Sequence, residues 1–249
     1  MATDQTNRVA YSPLNTLKPV ADGIWIVDGG PMHVAMIPIP IRMTVVRLAS
    51  GQVWLHSPVP YNARLRSEIE ALGPISHLVA PNIAHWSFVK DWQRQFPEAT
   101  TWAAPGLRKR RQVKASGVRF DRDLGHVPPE EWAGDLQQRL LEGGLGLAEA
   151  VFLHRASRTL ILTDLVENFE AEKLSPALRP LVRAAGAMEP QGMAPPHYRL
   201  ATNLRRSQAK ALAQELVDWG PERVIFAHGK WFDRDGTAQL RRSLRWLLG

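Results

Sequence analysis

Thr159-Leu160-Ile161-Leu162-Thr163-Asp164 and Arg223-Val224-Ile225-Phe226-Ala227-His228-Gly229 decide how this chain reads. Each is a short apolar run that stops on a side chain able to hold a metal. That pattern fits a buried strand that delivers a ligand at its end. A third run has the same form: Ser76-His77-Leu78-Val79-Ala80 leads into Pro81-Asn82-Ile83-Ala84-His85-Trp86. His85, Asp164 and His228 thus stand at or just past three strand ends. Two imidazoles and a carboxylate can hold one divalent metal and leave coordination positions open for a substrate.

Outward from these runs, Gly23 to Asp28 reads as a strand closed by Gly29-Gly30. Met43 to Leu48 and Gln52 to His56 form a hairpin about Ala49-Ser50-Gly51. Between them Ile37-Pro38-Ile39-Pro40-Ile41 is extended but proline-interrupted, so it belongs at an edge or in a loop. Ala63, Leu65, Ile69 and Leu72 predict a helix over Asn62 to Leu72, stopped by Gly73-Pro74. A helix is expected directly after Pro81, capped by Asn82, with Trp86, Phe88, Val89, Trp92 and Phe96 as its apolar content. Short strands over Thr100 to Ala103 and Gly117 to Phe120 flank a basic helix. Ala148 to His154 and Thr159 to Thr163 bracket a tight polar turn. The stretch from Asn168 to Pro196 carries Pro176, Pro180, Pro190, Pro195 and Pro196 and reads as loop and short helices. Helices over Ser207 to Asp218 and Thr237 to Leu248 enclose the strand at Arg223 to Ala227.

Hairpins, strand–helix alternation, a second hairpin and strand–helix again predict two sheets face to face with helices outside. The expected class is α+β, a four-layer αβ/βα sandwich. Residues 1–22 read as an extended lead-in and 23–249 as a single domain, since no linker-like stretch divides them.

A length of 249 residues allows a substantial core, and 45% hydrophobic with 22% charged residues is ordinary for a globular chain. With no cysteine, disulfides, thiolate nucleophiles and cysteine-held metals are excluded. No apolar run approaches the roughly 20 residues of a membrane span. The polar Met1 to Arg8 lacks a secretory signal, so a cytoplasmic location is expected. The net charge of +7 gathers partly in Arg108-Lys109-Arg110-Arg111 and Lys114. No recognition motif or aromatic interleaving accompanies these residues, which disfavours nucleic acid as a partner. A solvated face, or attraction of a small anionic substrate, is the expected role.

In order and context these phrases resemble the metallo-β-lactamase-fold superfamily. There a strand ends in T-H-x-H-x-D-H at a helix start, and a later hairpin carries G-H-T-P-G-S. A following strand ends in an Asp that bridges two metals, and a last strand ends in a His, often within G-H-G. Val79 to His85 stands in the first motif's place and Gly144-Leu145-Gly146-Leu147-Ala148-Glu149 in the second's. Thr159 to Asp164 and Ala227-His228-Gly229 match the last two. Ala80 and Asn82 stand where the first motif has its two leading histidines, Ala84 where it has its Asp, and Leu145 where the middle motif has its histidine, so the first metal site is lost save for Asp164. The resemblance, from about Gly23 to the C-terminus, implies a divergent branch with a P-N-x-x-H phrase that keeps most of the second site: His85, Asp164 and His228.

That resemblance implies one divalent metal, zinc first, with iron or manganese as alternatives. It implies hydrolysis of an ester, amide, thioester or phosphoester in a small substrate. Two other readings stand beside it: a mononuclear non-haem iron redox enzyme using the same triad, and a metal-free fold with a binding role. Asp164 is the expected catalytic ligand. Glu149, leading a strand towards the Asp164 hairpin, is a candidate replacement ligand or general base. Asn82 could orient a water, besides capping. His56 and Tyr198 are candidates for substrate contact. Trp86 and Trp231, next to proposed ligands, are candidates to wall an aromatic or apolar substrate pocket.

Overall fold

The computed structural model describes residues 8–34 and 37–249. In chain order its first half holds β1 (Lys18–Ala21), β2 (Ile24–Asp28), a ribbon of β3 (Met32–Val34) and β4 (Ile37–Ile39), β5 (Arg42–Arg47), β6 (Val53–His56) and α1 (Ala63–Glu70). There follow β7 (Ile75–Ala80), α2 (Val89–Gln95), β8 (Thr100–Ala103), α3 (Arg111–Ser116) and β9 (Arg122–Asp123). The second half holds β10 (Leu136–Glu142), β11 (Ala148–His154), β12 (Thr159–Ile161), β13 (Glu167–Asn168), α4 (Arg179–Ala185) and α5 (Pro196–Asn203). It closes with α6 (Arg206–Asp218), β14 (Arg223–Ile225), β15 (His228–Gly229), α7 (Gly236–Ser243) and α8 (Arg245–Leu248).

Seven strands form one sheet in the order β1-β2-β5-β6-β7-β8-β9, and four form a second in the order β10-β11-β12-β14. Alternation along each strand sorts side chains into layers. From the first sheet Ile24, Ile26, Val46, Trp54, Val79 and Trp102 point to the middle, where they meet Leu140, Ala150, Phe152, Ile161 and Ile225 of the second. Their neighbours Val45, Leu55, Leu78 and Ala80 face outward onto Leu65 and Ile69 of α1 and Val89 and Trp92 of α2. On the other outer face Val151, Leu160 and Val224 pack under Leu212 and Leu216 of α6 and Leu240 of α7. Helix, sheet, sheet, helix is the four-layer αβ/βα sandwich.

Several local expectations are corrected. Of the lead-in expected over 1–22, residues 1–7 lie outside the described residues, and its end forms β1, which pairs with β2 in the first sheet. No helix begins at Ile83. Residues 83–88 make turns, which the Asn82 side chain caps by accepting the main-chain N–H groups of Ala84 and His85, and α2 starts at Val89. The strand expected at 117–120 is replaced by β9, and the closing helix breaks in two at Leu244. β10, unforeseen, is the full-length antiparallel partner of β11.

β6 and β7 run parallel, as do β12 and β14. Their C-terminal ends release Ser57, Asn82 with His85, Asp164, and His228 respectively. Main-chain bonds tie the two sheets together here: Ala150 N–H donates to Pro81 O at 2.8 Å, and Asn82 bridges Glu149.

Candidate metal centre

His85, Asp164 and His228, far apart in sequence, come together. His85 Nε2 lies 3.1 Å from Asp164 Oδ1, His228 Nε2 lies 3.2 Å from the same oxygen, and the two Nε2 atoms are 3.2 Å apart. All three side chains are largely buried.

Each is held by a partner on its far side. His228 Nδ1 donates to the Pro40 carbonyl at 2.7 Å. A carbonyl only accepts, so the proton is on Nδ1, and the Nε2 lone pair of a neutral ring faces Asp164 and His85. His85 Nδ1 meets Ser57 Oγ at 2.7 Å. Asp164 Oδ2 accepts from Asn82 Nδ2 at 2.8 Å. Outer partners of this kind orient metal ligands.

A lone pair and a carboxylate oxygen at 3.2 Å repel unless something positive lies between them. Without a metal, a proton does so. Burial lowers the His228 pKa, yet the hydrogen bond to Asp164 and its charge outweigh this and raise it to about 9. For Asp164, burial pushes up and the two histidines pull harder, leaving the carboxyl well below its ordinary range.

A divalent cation fits the same place. Ligands about 2.05 Å from a metal are about 3.3 Å apart in a tetrahedral site and about 2.9 Å in an octahedral one. The separations here fall between, and the donor set is one that zinc and ferrous iron accept.

Glu149 is neither a ligand nor a free base. It is fully buried, and Oε1 accepts the Thr163 N–H at 2.8 Å while Oε2 accepts the Asp164 N–H and the Tyr198 hydroxyl at 2.9 Å each. Burial, then repulsion from Asp164, raises its pKa to about 7. Its work is to hold the loop that carries Asp164. Tyr198, expected to contact substrate, instead sits buried on α5 with its hydroxyl donating to Glu149. Asn82 serves Asp164 and the turn before α2.

His56 is also corrected. It is 1% exposed, stacked 5.4 Å from Trp54 and edge-on to Phe152, with burial pushing its pKa down to about 3. Its neighbour Ser57 reaches the site instead, through a backbone φ of 53° that turns the hydroxyl towards His85. Trp86 packs half-buried on the outer cluster, and Trp231 against the middle and second outer clusters. The recess beside His85 is walled instead by Met32, Ile41, Pro58 and Phe88, with Ser57 at its base. Its free space is about 20 Å³, enough for about one water.

Two residues that sequence reasoning passed over bear on the centre. Arg42 NH1 donates to the carbonyls of Phe226 and Gly229 at 2.9 Å each, gripping the chain on both sides of His228. Glu167, on β13, pairs in register with His228. Burial raises its carboxyl to about 7, with the His228 charge pulling down. Neither lies in a motif, so no sequence signal marks them. In the basic segment Arg108 pairs with Asp123, while Lys109, Arg110, Arg111 and Lys114 are exposed. No helix among the described residues is long and apolar enough to cross a membrane.

Solved structures share this architecture. The metallo-β-lactamase from Pontibacter korlensis superposes with a TM-score of 0.64 at 14% identity, covering 93% of this chain and 97% of that one. The metallo-β-lactamase FIM-1 from Pseudomonas aeruginosa, in its mono-zinc form, gives 0.60 at 14%, covering 93% and 94%. A metallo-β-lactamase from Hirschia baltica gives 0.59 at 13%, covering 93% and 96%. At such identity the likeness establishes the metallo-β-lactamase fold and nothing about substrate. A comparison with curated proteins gives no match. In sequence, residues 21–192 match the family model described as domain of unknown function DUF4336, and the chain belongs to that family.

Proposed function

We propose that this protein is a mononuclear metal-dependent hydrolase acting on a small substrate at the strand ends. The observation that carries the reading is the convergence of His85 Nε2, Asp164 Oδ1 and His228 Nε2 within 3.2 Å of one another. A divalent metal held there would polarise a substrate's carbonyl or phosphoryl oxygen and acidify a water. Pro40 fixes the His228 tautomer so that Nε2 is a ligand. Ser57 Oγ, 2.7 Å from His85 Nδ1, can accept its proton and so leave Nε2 as the ligand atom. Asn82 occupies Asp164 Oδ2, the oxygen a second metal would need, which favours a single ion. The apolar walls beside Ser57 and His85 suit an uncharged, compact group on that one side of the scissile bond.

Chromogenic esters, amides, thioesters and phosphoesters offered to the zinc-loaded protein test the reading. One class should be hydrolysed, with activity abolished by a chelator and by His228→Ala or Asp164→Asn. Hydrolysis that survives both treatments would count against a metal-centred mechanism.

The same donor set supports a second reading, a ferrous redox centre, because two histidines and one carboxylate also form the facial ligand set of non-haem iron. Anaerobic isolation separates the two. Iron retained in preference to zinc, with oxygen consumption and no hydrolysis, favours the redox reading.

A further inference from the structure

Glu167 lies beside the candidate metal centre, and its side chain has no partner among the described residues. In the parallel pair β13–β15 it is the registered partner of His228, and laterally paired residues of a sheet point to the same face. The next residue, Asn168, points the other way and is fully used: its amide donates to Lys230 O at 2.9 Å and accepts from Gly192 N–H at 3.3 Å. Among the described residues the Glu167 carboxylate has neither a hydrogen-bond donor nor an ion-pair partner. The cations nearest in the chain order of this ribbon are committed elsewhere. Lys230 Nζ lies 2.8 Å from Glu189 and 3.6 Å from Glu170. Arg42 pairs through NH2 with Asp28 at 2.7 Å and donates from NH1 to two carbonyls, its Nε alone being without a partner.

The carboxylate is not a fourth ligand. Among the described residues only His85, Asp164 and His228 offer ligand atoms all within 4.8 Å of one another. Glu167 stands beside His228 in the ribbon and outside that cluster. A half-buried carboxylate without a partner is costly, and an arriving cation relieves that cost.

We propose that Glu167 is a recognition residue that selects substrates carrying a positive group next to the bond being broken. The site is then locally acidic although the whole chain carries +7. This rests on the metal-centre reading, and it names the substrate class that the reading leaves open.

Three metal-binding hydroxamates test it at pH 8: trimethylammonio-acetohydroxamate, its uncharged tert-butyl isostere of the same shape, and the anionic monohydroxamate of succinate. Binding to the zinc-loaded protein is measured by calorimetry. Wild type should bind the cationic probe about tenfold more tightly than the neutral isostere, the ratio a partly desolvated charge pair supplies, and the anionic probe more weakly than both. Glu167→Gln should bring the cationic and neutral probes together, and Glu167→Lys should reverse the order, with circular dichroism and zinc content unchanged in both. Equal affinities for the cationic and neutral probes in wild type, or a preference that survives Glu167→Gln, overturns the role of Glu167 while leaving the metal centre standing. Failure of wild type to bind even the neutral hydroxamate overturns both.

Discussion

Glu149 and Asp164 are joined main chain to side chain: Glu149 Oε2 accepts the Asp164 N–H at 2.9 Å, so one buried acid positions another. Three backbone N–H groups and the Tyr198 hydroxyl all point at Glu149. The arrangement wants acceptors only. Glu149→Gln puts an NH₂ group against at least one of these donors, leaving it unsatisfied at a cost of about 2 kcal/mol. Denaturant unfolding should show that loss, and zinc affinity should drop about tenfold as the Asp164 loop loosens. An unchanged midpoint and affinity would mean that the acid is dispensable.

The metal-free protein should lose stability as pH rises. Glu149 and Glu167 have folded pKa values raised to about 7, and His228 to about 9. Each binds its proton more tightly folded than unfolded, so each stabilises the fold below its unfolded value, about 4.5 for the acids and about 6.5 for the histidine. That stability is lost as pH climbs through the folded values. Tm measured in chelator should therefore fall between about pH 4.5 and 9. Zinc replaces the His228 proton, so the zinc-loaded protein should show a shallower fall above pH 6.5. Zinc binding at pH 7 should also release protons, seen as a binding heat that changes with the buffer's ionisation enthalpy. A Tm rising across that window, or a buffer-independent heat, contradicts the assignment.

Much of this was legible in the chain. The apolar runs at 76–80, 159–163 and 223–227 announced strands, and the residues ending them announced the triad, because strand periodicity and ligand chemistry are both written locally. β10 escaped because Leu136-Gln137-Gln138-Arg139-Leu140-Leu141-Glu142 is made of good helix formers. Only its seven-residue pairing with β11 makes it a strand, and tertiary pairing overrides propensity. Glu149 was read as a replacement ligand or general base because a carboxylate near the Asp164 hairpin offers that chemistry, and nothing local shows that its oxygens are already taken. The ring of N–H donors that makes its burial tolerable comes from residues 163–165, invisible until the hairpin folds. Of the pair His56-Ser57, the wrong member drew attention. The histidine has the richer chemistry, but the positive φ at Ser57 decides which side chain reaches the site.

Ser57 offers a clean dissection. Ser57→Ala removes the hydrogen-bond partner of His85 Nδ1 and should weaken zinc binding by about tenfold or more. Ser57→Gly removes the same hydroxyl but suits the φ of 53°, so it should be the more stable of the two variants by about 1 kcal/mol. Equal zinc affinity in wild type and both variants would show that the 2.7 Å contact is incidental.

Arg42 should matter more than a buried ion pair alone predicts. Arg42→Ala leaves Asp28 with Lys18 as its remaining partner at 2.8 Å and strands two carbonyls flanking His228, costing about 3 kcal/mol. Arg42→Lys keeps the charge but not the planar fork, so it should recover part of the stability without restoring full zinc affinity. Full recovery of both by lysine would reduce Arg42 to a counter-ion.

Metal content read by elemental analysis, after chelation and re-addition, bears most directly on the whole account. Wild type is expected to regain about one zinc or iron per chain, and His85→Ala, Asp164→Ala and His228→Ala each to lose most of it while remaining folded. Wild type that stays far below one metal per chain however it is reloaded, or variants that load as well as wild type, would contradict a metal centre at these strand ends.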